Sequence, residues 1–206
     1  MVKVEVEHRG LLNEEKFQKL NTFLKKNGKF LGEKDRFSVI YSPRGKETLR
    51  VVRSSIDLKL RITNKESELV LKYGRWSGND ARKEFLFPID SKKFEEMTEF
   101  LQILGYYYGV LQATKTRLYI YKDIEFAVVK VPNWGYYFEA EIVIEKEKVK
   151  SANEKIMSVY RELNLDVLND RDFLKLLESL NERPGFRFNF KKQKFSDIKK
   201  RFADYF

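Results

Sequence analysis

Hydrophobic and polar positions alternate along much of the first 145 residues. The opening segment, residues 2–9, has valines at its first three even positions and charged side chains between and after them. Because successive side chains of a strand point to opposite faces, this pattern predicts a strand with one apolar and one charged face. Comparable runs, which also predict strands, cover residues 36–41, 49–63, 68–73, 82–87, 113–121, 124–131 and 136–144.

Helical periodicity predicts two helices among the strands and further helices near the end of the chain. The first predicted helix follows the N-cap residue Asn13 and ends near Gly28, and the second follows Asp90 and ends at Gly105. From residue 151 the apolar positions recur at helical spacing. The order of elements predicts a single α+β domain over residues 1–206, with the strands and two helices in 1–145 and a helical extension in 146–206.

The amino-acid composition limits the kinds of chemical site that the chain can form. The 206 residues include 41 Lys or Arg, 31 Asp or Glu, one His and no Cys, which gives a net charge of +10. The absence of Cys rules out disulfides, thiolate zinc sites and cysteine nucleophiles, so any metal would be held by oxygen ligands. We find neither a signal-peptide pattern nor a long apolar stretch, and we therefore expect a cytoplasmic protein without membrane association. The abundance of charged residues is typical of a thermophile.

Charged residues on the predicted strands recur at i, i+2 spacing and so share a face of each strand. These sets are Glu5, Glu7 and Arg9; Lys59 and Arg61; Arg82 and Glu84; Lys115 and Arg117; and Glu139 and Glu141. They form either the solvated side of an antiparallel sheet or the interior of a closed barrel. A charged interior would be costly to desolvate unless a polyanion and divalent cations were bound there. The alternation alone does not decide between the two.

Six short motifs carry a family resemblance, and they occur in the family's order over residues 2–145. They are Glu5-Val6-Glu7-His8-Arg9, Leu58-Lys59-Leu60-Arg61, Leu69-Val70-Leu71-Lys72, Arg82-Lys83-Glu84, Lys115-Thr116-Arg117, and Gly135 followed by Phe138-Glu139-Ala140-Glu141. Together they resemble the CYTH superfamily of class IV adenylyl cyclases and thiamine triphosphatases, also called triphosphate tunnel metalloenzymes. The helical segment 152–177 also resembles that family.

The resemblance implies an eight-stranded, closed antiparallel β-barrel with flanking helices, in which a triphosphorylated compound or inorganic triphosphate binds. By this resemblance the carboxylates that hold Mg²⁺ or Mn²⁺ are Glu5, Glu7, Glu139 and Glu141, and Glu84 also lines the tunnel. The cations implied for the triphosphate are Arg9, Lys59, Arg61, Lys72, Arg82, Lys115 and Arg117. The implied activity is hydrolysis of inorganic triphosphate, thiamine triphosphate or a nucleotide, with formation of cyclic AMP from ATP as an alternative. No residue is assigned as catalytic.

Two positions depart from the family pattern. Arg9 replaces the Lys that ends the first motif, and Arg does not deprotonate to act as a general base. Val129 stands where the family usually has an Asp on the penultimate strand. Asp123 or Glu125, from the adjoining turn, could replace that carboxylate. Triphosphate binding is therefore expected, while the motifs leave open whether the protein is a working enzyme.

The last 24 residues suggest a second class of function. Residues 183–206 include eight basic and two acidic side chains, interleaved with phenylalanines at 186, 188 and 190. This pattern fits polyphosphate or nucleic-acid binding without catalysis, and it fits an ordinary packed strand and helix with a solvated face equally well. An aromatic exterior also leaves a homodimer open.

Overall fold

The computed structural model describes residues 3–46, 55–74 and 83–206 of the chain. The strands are β1 (Lys3–Leu12), β2 (Lys29–Tyr41), β3 (Ile56–Thr63), β4 (Glu66–Tyr73), β5 (Lys83–Ile89), β6 (Tyr108–Tyr121), β7 (Ile124–Val131), β8 (Gly135–Glu145) and β9 (Arg187–Asn189). The helices are α1 (Glu14–Asn27), α2 (Phe94–Ile103), α3 (Val149–Glu162), α4 (Asp170–Asn181) and α5 (Phe195–Arg201). The predicted strands at 49–63 and 82–87 extend partly outside the described residues.

The strands form an antiparallel sheet in the order β1-β8-β7-β6-β2-β3-β4-β5, and β9 pairs with β6. The pairs β1–β8, β8–β7, β7–β6, β2–β3, β3–β4 and β4–β5 are all antiparallel. The predicted α+β class, an antiparallel sheet of eight strands with helices beside it, is therefore confirmed.

The element ends follow their capping chemistry, with two differences from the sequence prediction. Asn13 caps α1, since its side chain accepts a hydrogen bond from the amide of Lys16. Asp90 instead caps a short 3₁₀ turn, so that α2 starts only at Phe94. Strand β2 begins seven residues earlier than predicted, at Lys29 rather than Arg36. Its first half is largely exposed and therefore shows no clear apolar alternation.

Helices α1, α2 and α3 are amphipathic and bury one stripe each. In α1 the buried apolar residues are Phe17, Leu20 and Leu24, and in α3 they include Ile156 and Val159. No helix in the described part of the chain combines the length and the apolar character that crossing a bilayer requires.

The chain divides into two compact units, and strands β2 and β6 each contribute residues to both. Unit 1 consists of residues 1–34 and 114–170, and unit 2 of residues 35–113 and 171–206. The single domain inferred from the sequence stays a prediction.

In unit 1, helices α1 and α3 pack against one face of the β1–β8 pair. The core beneath them includes Val6, Phe126, Phe138, Ile156 and Tyr160. Because β1, β7 and β8 bury alternate residues in this core, their other residues belong to the opposite face of the strands. The predicted metal-binding carboxylates of unit 1 lie on that opposite face.

In unit 2, strands β2 and β3 bury one face in an aromatic core. This core contains Phe37, Leu60, Phe94, Phe195 and Ile198, so that α2 and α5 both contribute to it. Removal of this apolar surface from water is the main source of stability for both units. It again leaves the alternate strand positions for polar side chains.

Gly10 lies at a tightly packed position of unit 1. A Cβ at this position would lie 2.0 Å from the carbonyl oxygen of Asp166 and 2.5 Å from the ring of Phe138. We expect Gly10→Ala to lower the free energy of unfolding by about 1–3 kcal/mol, because backbone and a buried ring must both move. Gly185→Ala, where a Cβ meets nothing within 4 Å, is the matched control. Equal denaturation midpoints for the two variants would contradict this packing.

Candidate functional site

The register of β1 against β8 brings the predicted acidic residues of unit 1 to one face. Glu7 is opposite Glu141 and Arg9 is opposite Glu139, and directly paired residues point to the same side of the sheet. His8 is opposite Ala140, which is fully buried in the core of unit 1. The carboxylates therefore occupy the face that lies away from α1 and α3.

Three carboxylates of this face form a compact cluster. One oxygen atom each from Glu5, Glu7 and Glu141 lies within 4.8 Å of the other two. Oxygen atoms at this spacing suit a hard divalent cation such as Mg²⁺ or Mn²⁺. The structure thus brings together three of the four predicted metal ligands.

The fourth predicted ligand, Glu139, is bound to Arg9. Arg9 Nε donates to Glu139 Oε1 at 3.0 Å, and Arg9 Nη2 lies 2.6 Å from Glu7 Oε1. Burial opposes the charged form of Arg9, but the charges of Glu7 and Glu139 raise its pKa above the usual value. Arg9 therefore stays charged and offsets part of the negative charge of this face.

Glu7 and Glu141 have raised pKa values, because Arg9 does not offset all of the negative charge on this face. Burial raises the pKa of Glu7 to about 7, helped by the charge of Glu139 and opposed by Arg9. Burial raises the pKa of Glu141 to about 8, and the charge and hydrogen bond of Glu5 add to this effect. Like charges held this close favour either a bound proton or a bound cation.

Helix α3 fixes the strand behind the cluster. His8 Nε2 lies 2.6 Å from Asn153 Oδ1, and the Tyr160 hydroxyl donates to the carbonyl oxygen of His8 at 3.1 Å. Burial, together with the nearby charges of Glu7 and Glu139, raises the pKa of Tyr160. His8 is thus a packed residue, and the two contacts hold it in place between Glu7 and Arg9.

Val129 occupies the position of the Asp that the family usually has. Glu125, rather than Asp123, lies where it could supply the missing carboxylate. Glu125 is opposite Glu141 in the β7–β8 register, and its charge raises the pKa of Glu141. Asp123 is highly exposed and binds Lys155 of α3 at 3.0 Å. Val129 shares the face of Glu125 but is only 2% exposed.

The expected grouping of Lys115 and Arg117 with the carboxylates is wrong. Arg117 is opposite Val128, and Val128 is opposite Phe138, so both cations lie on the core-bearing face rather than the carboxylate face. Arg117 Nε donates to Glu33 Oε1 at 2.9 Å. The β6 residues that share the carboxylate face are Thr116, Leu118 and Ile120, since a shift of one position along a strand reverses the face.

Unit 2 brings Lys59, Arg61, Lys72 and Glu84 to one face of its sheet. The i, i+2 spacing predicts this for Lys59 with Arg61, and the strand registers add Lys72 and Glu84. Each cation there has an acidic partner. Lys59 Nζ lies 3.0 Å from Asp57, Arg61 Nε donates to Glu68 at 2.6 Å, and Lys72 Nζ lies 3.5 Å from Glu84. Arg82, the seventh predicted cation, lies outside the described residues.

Asp57 and Arg36 also belong to this face of unit 2, although the sequence patterns above do not include them. Asp57 is two positions before Lys59, so the same spacing rule could have identified it. Glu68 shares the strand face of Lys72 by the same spacing, and the β3–β4 register sets it opposite Arg61. Arg36 is assigned to this face only by the register of β2 with β3. A single-strand pattern does not contain that cross-strand information.

No protein-family profile and no curated protein sequence matches the chain. Solved structures do match. The PH1819 protein of Pyrococcus horikoshii OT3 is 23% identical with a TM-score of 0.63, over 87% of this chain and 99% of that one.

Two further structures carry names that suggest a function. A candidate adenylate cyclase from Vibrio parahaemolyticus is 15% identical with a TM-score of 0.59, over 85% of this chain and 99% of its own. The candidate adenylyl cyclase HpAC1 from Hippeastrum is described as having a dominant triphosphatase activity. It is 15% identical with a TM-score of 0.59, over 89% of this chain and 98% of its own. The chain shares the fold of these proteins, two of which are named as candidate adenylyl cyclases.

The raised pKa values predict how stability depends on pH. The folded protein holds protons on Glu7 and Glu141 that the unfolded chain releases above about pH 4.5, so stability falls as pH rises from there through about 7–8. Without metal, the double variant Glu7→Gln/Glu141→Gln should lose less stability between pH 5.5 and 8.5 than the unmodified protein. Urea denaturation in EDTA measures this.

Glu154→Gln, at an exposed position of α3, is the control for this experiment. It should show the same pH dependence as the unmodified protein. If the double variant also shows that dependence, the carboxyl cluster is not protonated as its crowding requires.

Proposed function

We propose that the protein binds a triphosphorylated compound together with Mg²⁺ or Mn²⁺ and hydrolyses it to release phosphate. The observation that carries the proposal is the carboxylate cluster of Glu5, Glu7 and Glu141, whose oxygens approach within 4.8 Å. Such a cluster is costly to keep ionised without a cation, and the raised pKa values of two of its members express that cost. The fold supports the proposal because HpAC1, described as a triphosphatase, shares it.

The donor set fits the proposed metal. Glu5, Glu7 and Glu141 offer only oxygen ligands, and a site of a few carboxylates that leaves room for phosphate and water is typical of Mg²⁺. When bound, the cation would neutralise phosphate charge and polarise a phosphorus–oxygen bond. Glu125 supports the same site through its position opposite Glu141, and Arg9 orients Glu7 and Glu139.

For the phosphate contacts we keep Arg9, Lys59, Arg61, Lys72 and Arg82, and we do not keep the two β6 cations. Guanidinium groups bind phosphate oxygens in a bidentate manner, and ammonium groups supply point charge. In this proposal the strands close into the tunnel that the family resemblance implies. Positioning and electrostatic stabilisation then supply most of the catalysis, because Arg9 cannot act as a base.

Formation of cyclic AMP from ATP is the second candidate, since the Vibrio and Hippeastrum proteins are both named for that activity. Cyclisation needs the ribose 3′ hydroxyl to reach the α-phosphorus, whereas hydrolysis needs a water molecule at a phosphorus. The products therefore distinguish the two.

The first test is product analysis of separate reactions with inorganic triphosphate, thiamine triphosphate and ATP, each with Mg²⁺ or Mn²⁺. We expect orthophosphate that ceases with EDTA, and a loss of at least about 100-fold in kcat/KM for Glu7→Gln/Glu141→Gln, because two cation ligands are gone. Metal-independent turnover, or full activity in that variant, would refute the proposal. Cyclic AMP with pyrophosphate would establish the cyclase instead.

Asp123→Asn is the matched control for the carboxylate variants. It also neutralises an acidic residue of unit 1, but one that is exposed and bound to Lys155. It should keep the activity of the unmodified protein. Mg²⁺ should raise the melting temperature of the unmodified protein and of Asp123→Asn at pH 8, and should leave that of the double variant unchanged.

A second test addresses the cations of unit 2. The variant Arg61→Gln/Glu68→Gln removes an ion pair as a unit and leaves no carboxylate unpaired. Its KM for inorganic triphosphate should rise about tenfold, because a guanidinium–phosphate contact is lost. Lys83→Gln changes the adjacent, opposite-facing position beside Glu84 and should leave KM unchanged. An unaltered KM in both variants would show that Arg61 does not bind the substrate.

A further inference from the structure

Unit 2 contains a cleft that the proposed triphosphate chemistry does not use. It has a volume of about 310 Å³ and lies between the start of β6 and the turn that follows β9. The residues that line it are Tyr108, Arg187, Phe188, Asn189, Lys192 and Gln193. A cleft of this size is at the lower end of the range for small-molecule sites.

Strand β9 is fixed by a close approach to β6. Phe188 is opposite Gly109, where a Cβ would lie 2.0 Å from the Ile40 carbonyl oxygen and 2.8 Å from the Phe188 ring. Phe188 is 4% exposed and belongs to the core of unit 2. Alternation then directs Arg187 and Asn189 to the other side of β9, on the face that they share with Tyr108.

The turn after β9 is equally well defined. The amides of Lys192 and Gln193 donate to the Asn189 carbonyl oxygen at 2.9 and 3.0 Å, and the amide of Lys191 donates to Asn189 Oδ1 at 3.0 Å. The lining side chains of this turn are therefore presented from a fixed backbone. Pre-organisation of this kind lowers the entropic cost of binding a ligand.

The cleft has the polarity of an anion site with one unused donor. Arg187 and Lys192 are both cationic, and none of the described residues that line the cleft is acidic. Gln193 Nε2 is buried and has no hydrogen-bond partner within the described structure. A buried donor without an acceptor is unfavourable, so a ligand that supplies an acceptor there would be stabilised.

An aromatic ring stands beside these polar groups. Tyr108 lines the cleft, and the Lys191 ammonium lies 5.7 Å from its ring centroid and 5.0 Å from that of Tyr107. Aromatic rings next to cations are typical of sites that hold a base and a phosphate at once. The amides of Asn189 and Gln193 can donate to and accept from the edge of a base.

We propose that this cleft binds a nucleotide unit, with the phosphate at Arg187 and Lys192 and the base against Tyr108 and Gln193. The ligand is either a free nucleotide or one nucleotide of a single-stranded nucleic acid, because the chemistry recognised is the same. The site needs no divalent cation, and all of its residues belong to unit 2. It stands whether or not the carboxylate cluster of unit 1 proves to be a triphosphatase site.

The test is fluorescence polarisation in EDTA with a fluorescein-labelled hexauridylate, at 50 and 200 mM salt. For Arg187→Gln/Lys192→Gln we expect affinity to fall at least tenfold. The plot of the logarithm of the association constant against log salt should become less steep by about 1.4, because two phosphate contacts are lost. Lys92→Gln/Lys93→Gln removes the same charge from an exposed turn of unit 2 and should change affinity less than twofold. Equal losses in both variants, or no binding at 50 mM salt, would overturn the proposal.

Base recognition is tested separately. Tyr108→Leu should weaken binding about tenfold and Tyr108→Phe should restore it, while Gln193→Leu should weaken it about threefold. Competition by UMP identifies a free nucleotide as the ligand, and binding of the hexauridylate without competition by UMP identifies a strand. Competition by inorganic phosphate as strong as that by UMP would overturn the base contact. Metal-dependent phosphate release should be unchanged in these variants, which separates this site from the proposed function.

Discussion

Repulsion between carboxylates on the β1–β8 pair is the constraint on which the site of unit 1 depends. The antiparallel register sets Glu7 directly opposite Glu141, and the spacing of two residues adds Glu5 on the same face. The strands cannot separate these charges without breaking their hydrogen-bond ladder. The charges are instead relieved by Arg9 and by protonation, which the raised pKa values express. A divalent cation would relieve them further.

The core behind the strands keeps this arrangement in place. Val6, Phe138 and Ala140 alternate with the charged residues and pack beneath α1 and α3. Tyr160 of α3 donates to the backbone of His8, between Glu7 and Arg9. Movement of the carboxylates would therefore disturb buried apolar surface, so the stability of the core supports the crowded face.

The two units handle charge differently. In unit 2 the strand cations are paired with acids, as in the contacts of Arg61 with Glu68 and of Lys72 with Glu84. Such partly exposed pairs contribute little stability, and a phosphate can compete for the cation. Arg187 and Lys192 line the cleft beside β9, together with an orphan amide at Gln193. The carboxylate cluster of unit 1 and the cationic lining of the cleft favour ligands of opposite sign.

Apart from the exposed first half of β2, the sequence by itself determined where the strands lie, the caps of α1 and the sets of charges that share one strand face. These features depend on periods of 2 and 3.6 residues and on local capping signals. Glu5, Glu7 and Arg9 belong together on that ground alone, as do Lys59 and Arg61. Glycine and asparagine at the helix ends are equally local signals. The order of six motifs added the expectation of eight antiparallel strands with flanking helices, and the sheet bears out that part of the expected fold.

Only the tertiary structure decided which strand faces coincide. Lys115 and Arg117 share a face with each other, yet the β6–β7 register assigns that face to the core of unit 1. The same register information selects Glu125 over Asp123 and pairs Arg61 with Glu68. A strand pattern repeats every two residues, so it determines which residues of one strand share a face. It does not fix the one-residue offset between strands, which depends on hydrogen bonds and packing between residues distant in the chain.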